Sequence, residues 1–203
     1  MRTTGLPSML DTLARNYNNR NPEAWLYEIS SEYLPREGED LPEEKAVLMV
    51  GCYGGEADFF TLKGTVESLL SRLNLPRADY THPSYHPGRF AVLTVGDTEI
   101  GSVGEVHPTV LENFGIGCRA WIARLDIARL FAVRLPEATY HALPRFPAST
   151  RDLAVICDES LPVAAIEKTI TGAVGNILEQ IKLFDVYRGA PVPAGKKSVA
   201  YSL

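Results

Sequence analysis

The sequence predicts an α+β protein in two modules, a larger one of mixed helices and strands followed by a smaller one that opens β-α-β-β. Three observations carry this. The 203 residues are enough for one large domain or two small ones, each with a core. Residues 136–150 carry Pro136, Pro144 and Pro147 and little periodicity, which reads as a linker. After that stretch the pattern becomes strand, helix, strand, strand, the first part of a ferredoxin-like β-α-β-β-α-β domain.

Leu6, Met9, Leu10 and Leu13 recur at helical spacing, with Asp11 and Arg15 on the other side, predicting a helix over 6–16. The polar run 16–22 breaks it. Trp25, Tyr27 and Ile29 then alternate within a strand over 24–33. A charged loop, 35–42, leads to a buried-type strand over 45–50, which ends in a glycine-rich turn at Gly51–Gly55. Phe59, Leu62, Val66, Leu69, Leu70 and Leu73 form the stripe of the clearest helix, 59–73, with Asp58 placed to cap it. Residues 90–95 and 99–103 around Gly96-Asp97 read as a β-hairpin. Pro108 opens a short helix to Phe114, which Gly115 and Gly117 end; 120–126 is a strand.

In the second module, 152–157 is a strand and 163–175 a helix capped by Ser160 or Asp158. Residues 178–188 and 197–203 are two further strands, separated by the Pro/Gly loop 189–195. A complete ferredoxin-like domain needs one more helix and strand, so the chain is expected to stop inside or just after the third strand. The apolar face of that sheet, with Val155, Cys157, Phe184 and Val186, is expected to lose part of its cover.

Composition narrows function. No apolar run approaches the roughly 20 residues that span a bilayer, and no apolar leader follows Met1. Three scattered cysteines, Cys52, Cys118 and Cys157, argue against a disulfide framework and suit the cytoplasm. Net charge is −5, mildly unfavourable for a general nucleic-acid binder. The charge is uneven, however. Residues 1–140 hold thirteen Lys/Arg against nineteen Asp/Glu, whereas 141–203 hold seven against six, so a nucleic-acid contact belongs in the last third.

Eight collinear strings carry a resemblance. They are residues 2–10 (Arg-Thr-Thr-Gly-Leu-Pro-Ser-Met-Leu), 58–64 (Asp-Phe-Phe-Thr-Leu-Lys-Gly), 86–89 (His-Pro-Gly-Arg), 100–108 (Ile-Gly-Ser-Val-Gly-Glu-Val-His-Pro), 144–147 (Pro-Arg-Phe-Pro), 149–154 (Ser-Thr-Arg-Asp-Leu-Ala), 183–189 (Leu-Phe-Asp-Val-Tyr-Arg-Gly) and 195–201 (Gly-Lys-Lys-Ser-Val-Ala-Tyr). Together they resemble the C-terminal part of the bacterial-type phenylalanine–tRNA synthetase β subunit. The resemblance implies that 1–140 is a catalytic-like module, an antiparallel sheet of the class II synthetase fold without working active-site motifs. It implies that 141–203 is a ferredoxin-fold anticodon-binding domain lacking its last helix and strand. It further implies an (αβ)2 tetramer with a catalytic α subunit, ATP and Mg²⁺ in that holoenzyme with no cofactor in this piece, and the anticodon of phenylalanine tRNA as partner.

The strand period places Asp185 and Tyr187 on one face, opposite Phe184, Val186 and Arg188, and sets Ser198, Ala200 and Ser202 against Val199, Tyr201 and Leu203. A ferredoxin-like sheet carries helices on one face only. On its free face Tyr187 could stack on an unpaired base, Asp185 could accept from a base edge and Ser198 could offer its hydroxyl. Lys196, Lys197 and Arg188 would meet phosphates. On pattern alone a solvated face with one exposed tyrosine explains these residues more simply. The resemblance reverses this, matching Asp185, Tyr187 and Ser198 to anticodon contacts and adding Ala154. Arg151 and Arg145, beside Pro147, read equally as tRNA backbone contacts or as ion pairs seating the linker with Asp152.

Other constellations favour structural readings. Gly115–Arg119 superficially resembles a class II ATP motif, but its place after a helix makes it a C-cap. Gly51–Gly55 lacks the Gly-Lys-Ser/Thr ending of a phosphate loop. His82 and His86 are separated by prolines, and His107 and His141 are isolated, so no metal site is expected. Glu105 reads as a partner contact or an exposed charge. The rival functions are a purely structural protein-interaction fragment and a small-molecule enzyme built around His82, His86 and Arg89.

Overall fold

A computed structural model describes residues 2–81, 89–137, 140 and 147–203. His82, His86, His141 and Arg145, and most of the 86–89 and 144–147 strings, lie outside the described residues. The chain divides into two units, Met1–Thr139 and Tyr140–Leu203.

In the first unit α1 (Leu6–Asn18) starts with Pro at its first turn, where a missing N–H costs nothing. β1 (Ala24–Leu34) and β2 (Glu43–Tyr53) pair antiparallel over their whole lengths. α2 (Phe59–Arg72), β3 (Asp79–Thr81), β4 (Phe90–Val95), β5 (Thr98–Glu105), α3 (Pro108–Asn113), β6 (Ala120–Asp126) and α4 (Ile127–Ala132) complete the unit. Among the described residues the strands form one antiparallel sheet in the order β1-β2-β6-β5-β4-β3. Both faces of its centre are covered. Met9, Leu10 and Leu13 of α1 pack on Val47, Met49, Tyr53 and Ala120. Leu62, Val66 and Leu70 of α2 pack on Cys52, Leu93, Ile100, Val103, Ala123 and Leu125. Asp58 caps α2 by accepting from the Thr61 N–H at 2.7 Å, while the Thr61 hydroxyl accepts from the Asp58 N–H at 2.8 Å.

One local expectation is corrected here, and two short elements are added. Residues 51–53 are not a turn, because β2 continues through Gly51, Cys52 and Tyr53, with Cys52 and Tyr53 fully buried. Gly51 is small because α1 approaches it closely: a Cβ would lie 2.8 Å from the Met9 side chain. α4 and the three-residue β3 carry too few residues to show a period, so the sequence pattern passes over both.

One charged pair sits within this apolar frame. Glu32 is 2% exposed. Arg124 Nε reaches both its carboxylate oxygens at 3.2 Å, a second guanidinium nitrogen donates to Oε2, and the Gly5 N–H donates to Oε1 at 3.0 Å. Burial pushes the Glu32 carboxyl up, but the Arg124 hydrogen bonds and charge and the Gly5 donor outweigh it and hold it below the usual carboxylate range. The pair ties β1, β6 and the entry to α1 together.

The second unit comprises β7 (Asp152–Asp158), α5 (Val163–Val174), a 3-10 turn (Gly175–Ile177), β8 (Lys182–Tyr187) and β9 (Lys196–Ser202). The sheet order is β7-β9-β8, with β9 antiparallel to both neighbours, the split β-α-β arrangement. Ile166 and Ile170 of α5 cover Cys157, Val199 and Tyr201. Neither Ser160 nor Asp158 caps α5; the N-cap is Pro162 and has no side-chain cap bond, while Asp158 belongs to β7 and binds Lys196. β8 begins at Lys182, four residues later than its pattern suggests, because Gly175–Ile177 and the coil after it take up 175–181. Phe184 also departs from the alternation expected of it. The register shifts between Leu183 and Asp185, so Phe184 is the extra residue of a bulge and is 54% exposed.

Candidate nucleic-acid interface

The face of β7-β9-β8 turned away from α5 is built by register. Val155, Val199 and Val186 pair across the sheet and belong to the α5 side with Val199 fully buried. Their neighbours must therefore face the other way. Ile156, Ser198 and Tyr187 form one row across the three strands, and Ala154, Ala200 and Asp185 the next. Four of the expected site residues, Asp185, Tyr187, Ser198 and Ala154, thus fall on one face in two adjacent rows. Short side chains on central β9 leave the middle of that face low.

Tyr187 is 45% exposed, and its hydroxyl donates to the Ala190 carbonyl at 2.7 Å. The bond spans the turn after β8 and fixes the ring. Asp185 is exposed, and among the described residues neither its carboxylate nor the Ser198 hydroxyl has a hydrogen-bond partner in the chain. A fixed aromatic ring, a free carboxylate and a free hydroxyl around a low floor suit an unstacked base, which offers a π-face and a hydrogen-bonding edge.

The expected cations are arranged differently. Lys197 is corrected: it is 7% exposed, shares the alternation of Val199 and Tyr201 on the α5 side, and donates from Nζ to the Glu159 carbonyl at 2.8 Å. Its parity was readable from Val199 and Tyr201, since a residue two before a buried position points the same way. Arg188 is exposed but pairs with Glu159 at 2.9 Å, and Lys196 pairs with Asp158 at 2.9 Å. The Glu159 N–H also donates to the Gly195 carbonyl at 2.9 Å. Glu159 is therefore the hub that braces the turn beside Tyr187, a role the sequence pattern did not single out. Arg151 continues the β7–β9 ladder through its backbone to Leu203 and donates from its side chain to Thr150 O at 3.3 Å; it is not among the four clustered residues.

Elsewhere the geometry gives structural roles. Glu105 accepts from Arg119 at 2.5 and 2.8 Å and from Arg89 at 3.2 Å, so it is an internal ion-pair centre. Arg119 also lies over the Trp121 ring at 4.7 Å. Gly115, at φ +70°, follows the C-cap Phe114 and ends α3 in the left-handed conformation. Burial pushes the Cys52 thiol up to about 12, aided by the nearby Asp58 charge, far from the range of a reactive thiolate. Among the described residues no three His, Cys, Asp or Glu side chains converge to hold a metal ion.

Comparison with known proteins bears on both units. The profile of the phenylalanyl tRNA synthetase beta chain CLM domain matches residues 1–127, and that of the ferredoxin-fold anticodon binding domain matches 144–203. The phenylalanine–tRNA ligase beta subunit of Clostridium tetani is 46% identical over 100% of this chain, and that of Clostridium acetobutylicum 44%. The chain spans about a quarter, 26%, of the length of each. A pyrrolysyl tRNA synthetase from Desulfitobacterium hafniense superposes with a TM-score of 0.57 at 16% identity, over 66% of this chain and 49% of that one. At that identity the likeness concerns the fold, an α+β antiparallel sheet of the class II synthetase type.

Proposed function

Because the chain belongs to the phenylalanyl-tRNA synthetase β chain family, with that family's profile matching residues 1–127, we propose that it works as part of a phenylalanine–tRNA ligase, the enzyme that charges tRNA with phenylalanine at the expense of ATP. Residues 1–140 serve as the catalytic-like, non-catalytic scaffold, and residues 141–203 read the anticodon of phenylalanine tRNA. The partners are the catalytic α subunit, in an (αβ)2 assembly, and the tRNA. ATP and Mg²⁺ belong to the assembled ligase, and no step assigned to this chain runs through them. We place the chain in the cytoplasm; its three cysteines are free, and no described helix is long and apolar enough to cross a membrane.

One observation carries the reading: Tyr187, Asp185, Ser198 and Ala154 stand together on the helix-free face. Tyr187 stacks on an unpaired anticodon base, and Asp185 and Ser198 meet its edge, respectively accepting and exchanging hydrogen bonds. Arg188 supplies a backbone phosphate contact when Glu159 shares it, and Arg151 a second. The scaffold role has its own support, since Trp25, Tyr27 and Ile29 line β1 exposed by 43%, 77% and 65%.

The test is aminoacylation by the assembled ligase carrying Tyr187→Ala or Asp185→Ala. Both are expected to raise KM for tRNA more than they lower kcat, by about tenfold or more for Tyr187→Ala. If instead both variants leave KM for tRNA as it was, and protein cross-linking places Tyr187 against another polypeptide, the face is a protein interface and the structural-fragment reading replaces this one.

A further inference from the structure

We infer that Ile156 is the second wall of the base site, a specificity-determining residue facing Tyr187 across Ser198. The inference deepens the anticodon reading and rests on it. Ile156 pairs with Ser198, and Ser198 with Tyr187, so the three occupy one row of the sheet. Cys157, its neighbour, is buried under α5, which turns Ile156 to the helix-free face, where it is 57% exposed. A large β-branched apolar side chain standing in water, two strands across from an exposed aromatic ring, is uncompensated in the isolated chain.

The spacing gives it a use. Adjacent strands lie about 4.8 Å apart, so Ile156 and Tyr187, two strands apart, rise about 10 Å from each other at their backbones. Between them Ser198 is short, and Ala154 and Ala200 in the next row are shorter still. The result is a slot with an aromatic wall, an aliphatic wall and a low floor. Tyr187 cannot swing outward without breaking its bond to the Ala190 carbonyl at 2.7 Å, so the slot has one fixed side. A single base entering it covers apolar area on both walls while its edge reaches Asp185 and Ser198. Two walls also confine the base in the plane where those polar groups can test it. An aliphatic wall therefore acts on discrimination as well as on affinity.

The experiment measures kcat/KM of the assembled ligase for two transcripts, phenylalanine tRNA and the same tRNA with its first anticodon base changed. The β chain is wild type, Ile156→Val, Ile156→Ala, Ile156→Thr or Tyr187→Ala. Melting curves accompany each variant; Ile156→Thr keeps the β-branched shape on an exposed strand position and so separates recognition from folding. Ile156→Ala is expected to lower kcat/KM for the matched transcript about tenfold and to change the value for the altered transcript little, so that the ratio between the two transcripts collapses. Ile156→Thr is expected to fall between Ala and Val, and Val to stay near wild type. A ratio unchanged by Ile156→Ala and Ile156→Thr, while Tyr187→Ala abolishes it, would overturn the second wall and leave the anticodon reading intact. A ratio unchanged by Tyr187→Ala as well would remove the anticodon reading and the inference with it.

Discussion

Tyr187 combines two duties that a substitution can separate. In the proposed function its ring is the stacking surface, while its hydroxyl holds the turn through Ala190. Tyr187→Phe keeps the ring and releases one exposed hydrogen bond, so its effect on tRNA binding is expected to be about 1 kcal/mol or less, against about 1–3 kcal/mol for Tyr187→Ala. Equal losses in the two variants, measured by equilibrium binding, would show that the turn and not the ring makes the contact. Glu32 is the corresponding single residue of the first unit. Removing its charge with Glu32→Gln leaves Arg124 without its carboxylate. The expected loss is about 3 kcal/mol in urea unfolding, the low end for a buried pair because the Arg124 side chain keeps 32% of its surface in water. The pH dependence follows from the sign of the shift. The folded-state carboxyl lies below its unfolded value of roughly 4.3, so its contribution is complete above that pH and is lost as pH falls through the lower folded value. Wild type is therefore expected to lose stability in acid over a window that Glu32→Gln lacks; parallel acid limbs in the two proteins would contradict the assignment.

At the scale of elements, much was readable because burial on one side imposes a period. The α2 stripe Leu62, Val66 and Leu70 and the alternation of Val199 and Tyr201 reappear as the buried residues of the two units. What escaped was whatever lacked a period or obeyed a neighbour. β3 and α4 are too short. The continuation of β2 through Gly51 rests on its pairing with Leu26 and Ile122 of the neighbouring strands, which no local pattern contains. The β8 bulge at Phe184 shifts the register in a way that only pairing with β9 defines. Alternation alone puts Asp185 and Tyr187 on one face and sets Ser198 opposite Val199 and Tyr201; the proposed anticodon role of these residues and of Ala154 comes from the resemblance. The charge of Lys197 suggests a phosphate contact, but its parity with Val199 and Tyr201 puts it on the α5 side, and a lysine can be buried when its ammonium finds an acceptor. Lys197→Gln is accordingly expected to lower the melting temperature of the second unit while leaving the salt dependence of tRNA binding unchanged. A shallower salt slope with unaltered melting would return Lys197 to the phosphate-contacting role.

For the whole molecule, charge and partition decide what the chain can do alone. The net charge of −5 is carried by the first module, and two exposed cations of the second, Arg188 and Lys196, are held by Glu159 and Asp158. Binding of tRNA is thus expected to depend on salt only weakly, with a log–log slope of about −1 to −2, corresponding to two or so single-strand phosphate contacts. A steep slope, like that of a general polyanion binder, would point to a different surface. The first unit has the sheet of a class II synthetase, but its ion pairs at Glu105 and Glu32 are satisfied internally. The chain by itself is accordingly expected to give no phenylalanine-dependent exchange of pyrophosphate into ATP; sustained exchange would contradict the scaffold role.

The central claim is that the helix-free face of β7-β9-β8 reads an anticodon base. The most direct measurement is equilibrium binding of the chain to a phenylalanine tRNA transcript and to the same transcript with its first anticodon base replaced, at one salt concentration. The replaced transcript is expected to bind about tenfold or more weakly, and Tyr187→Ala is expected to erase that difference. Equal affinity for the two transcripts, or a difference that survives Tyr187→Ala, would contradict it.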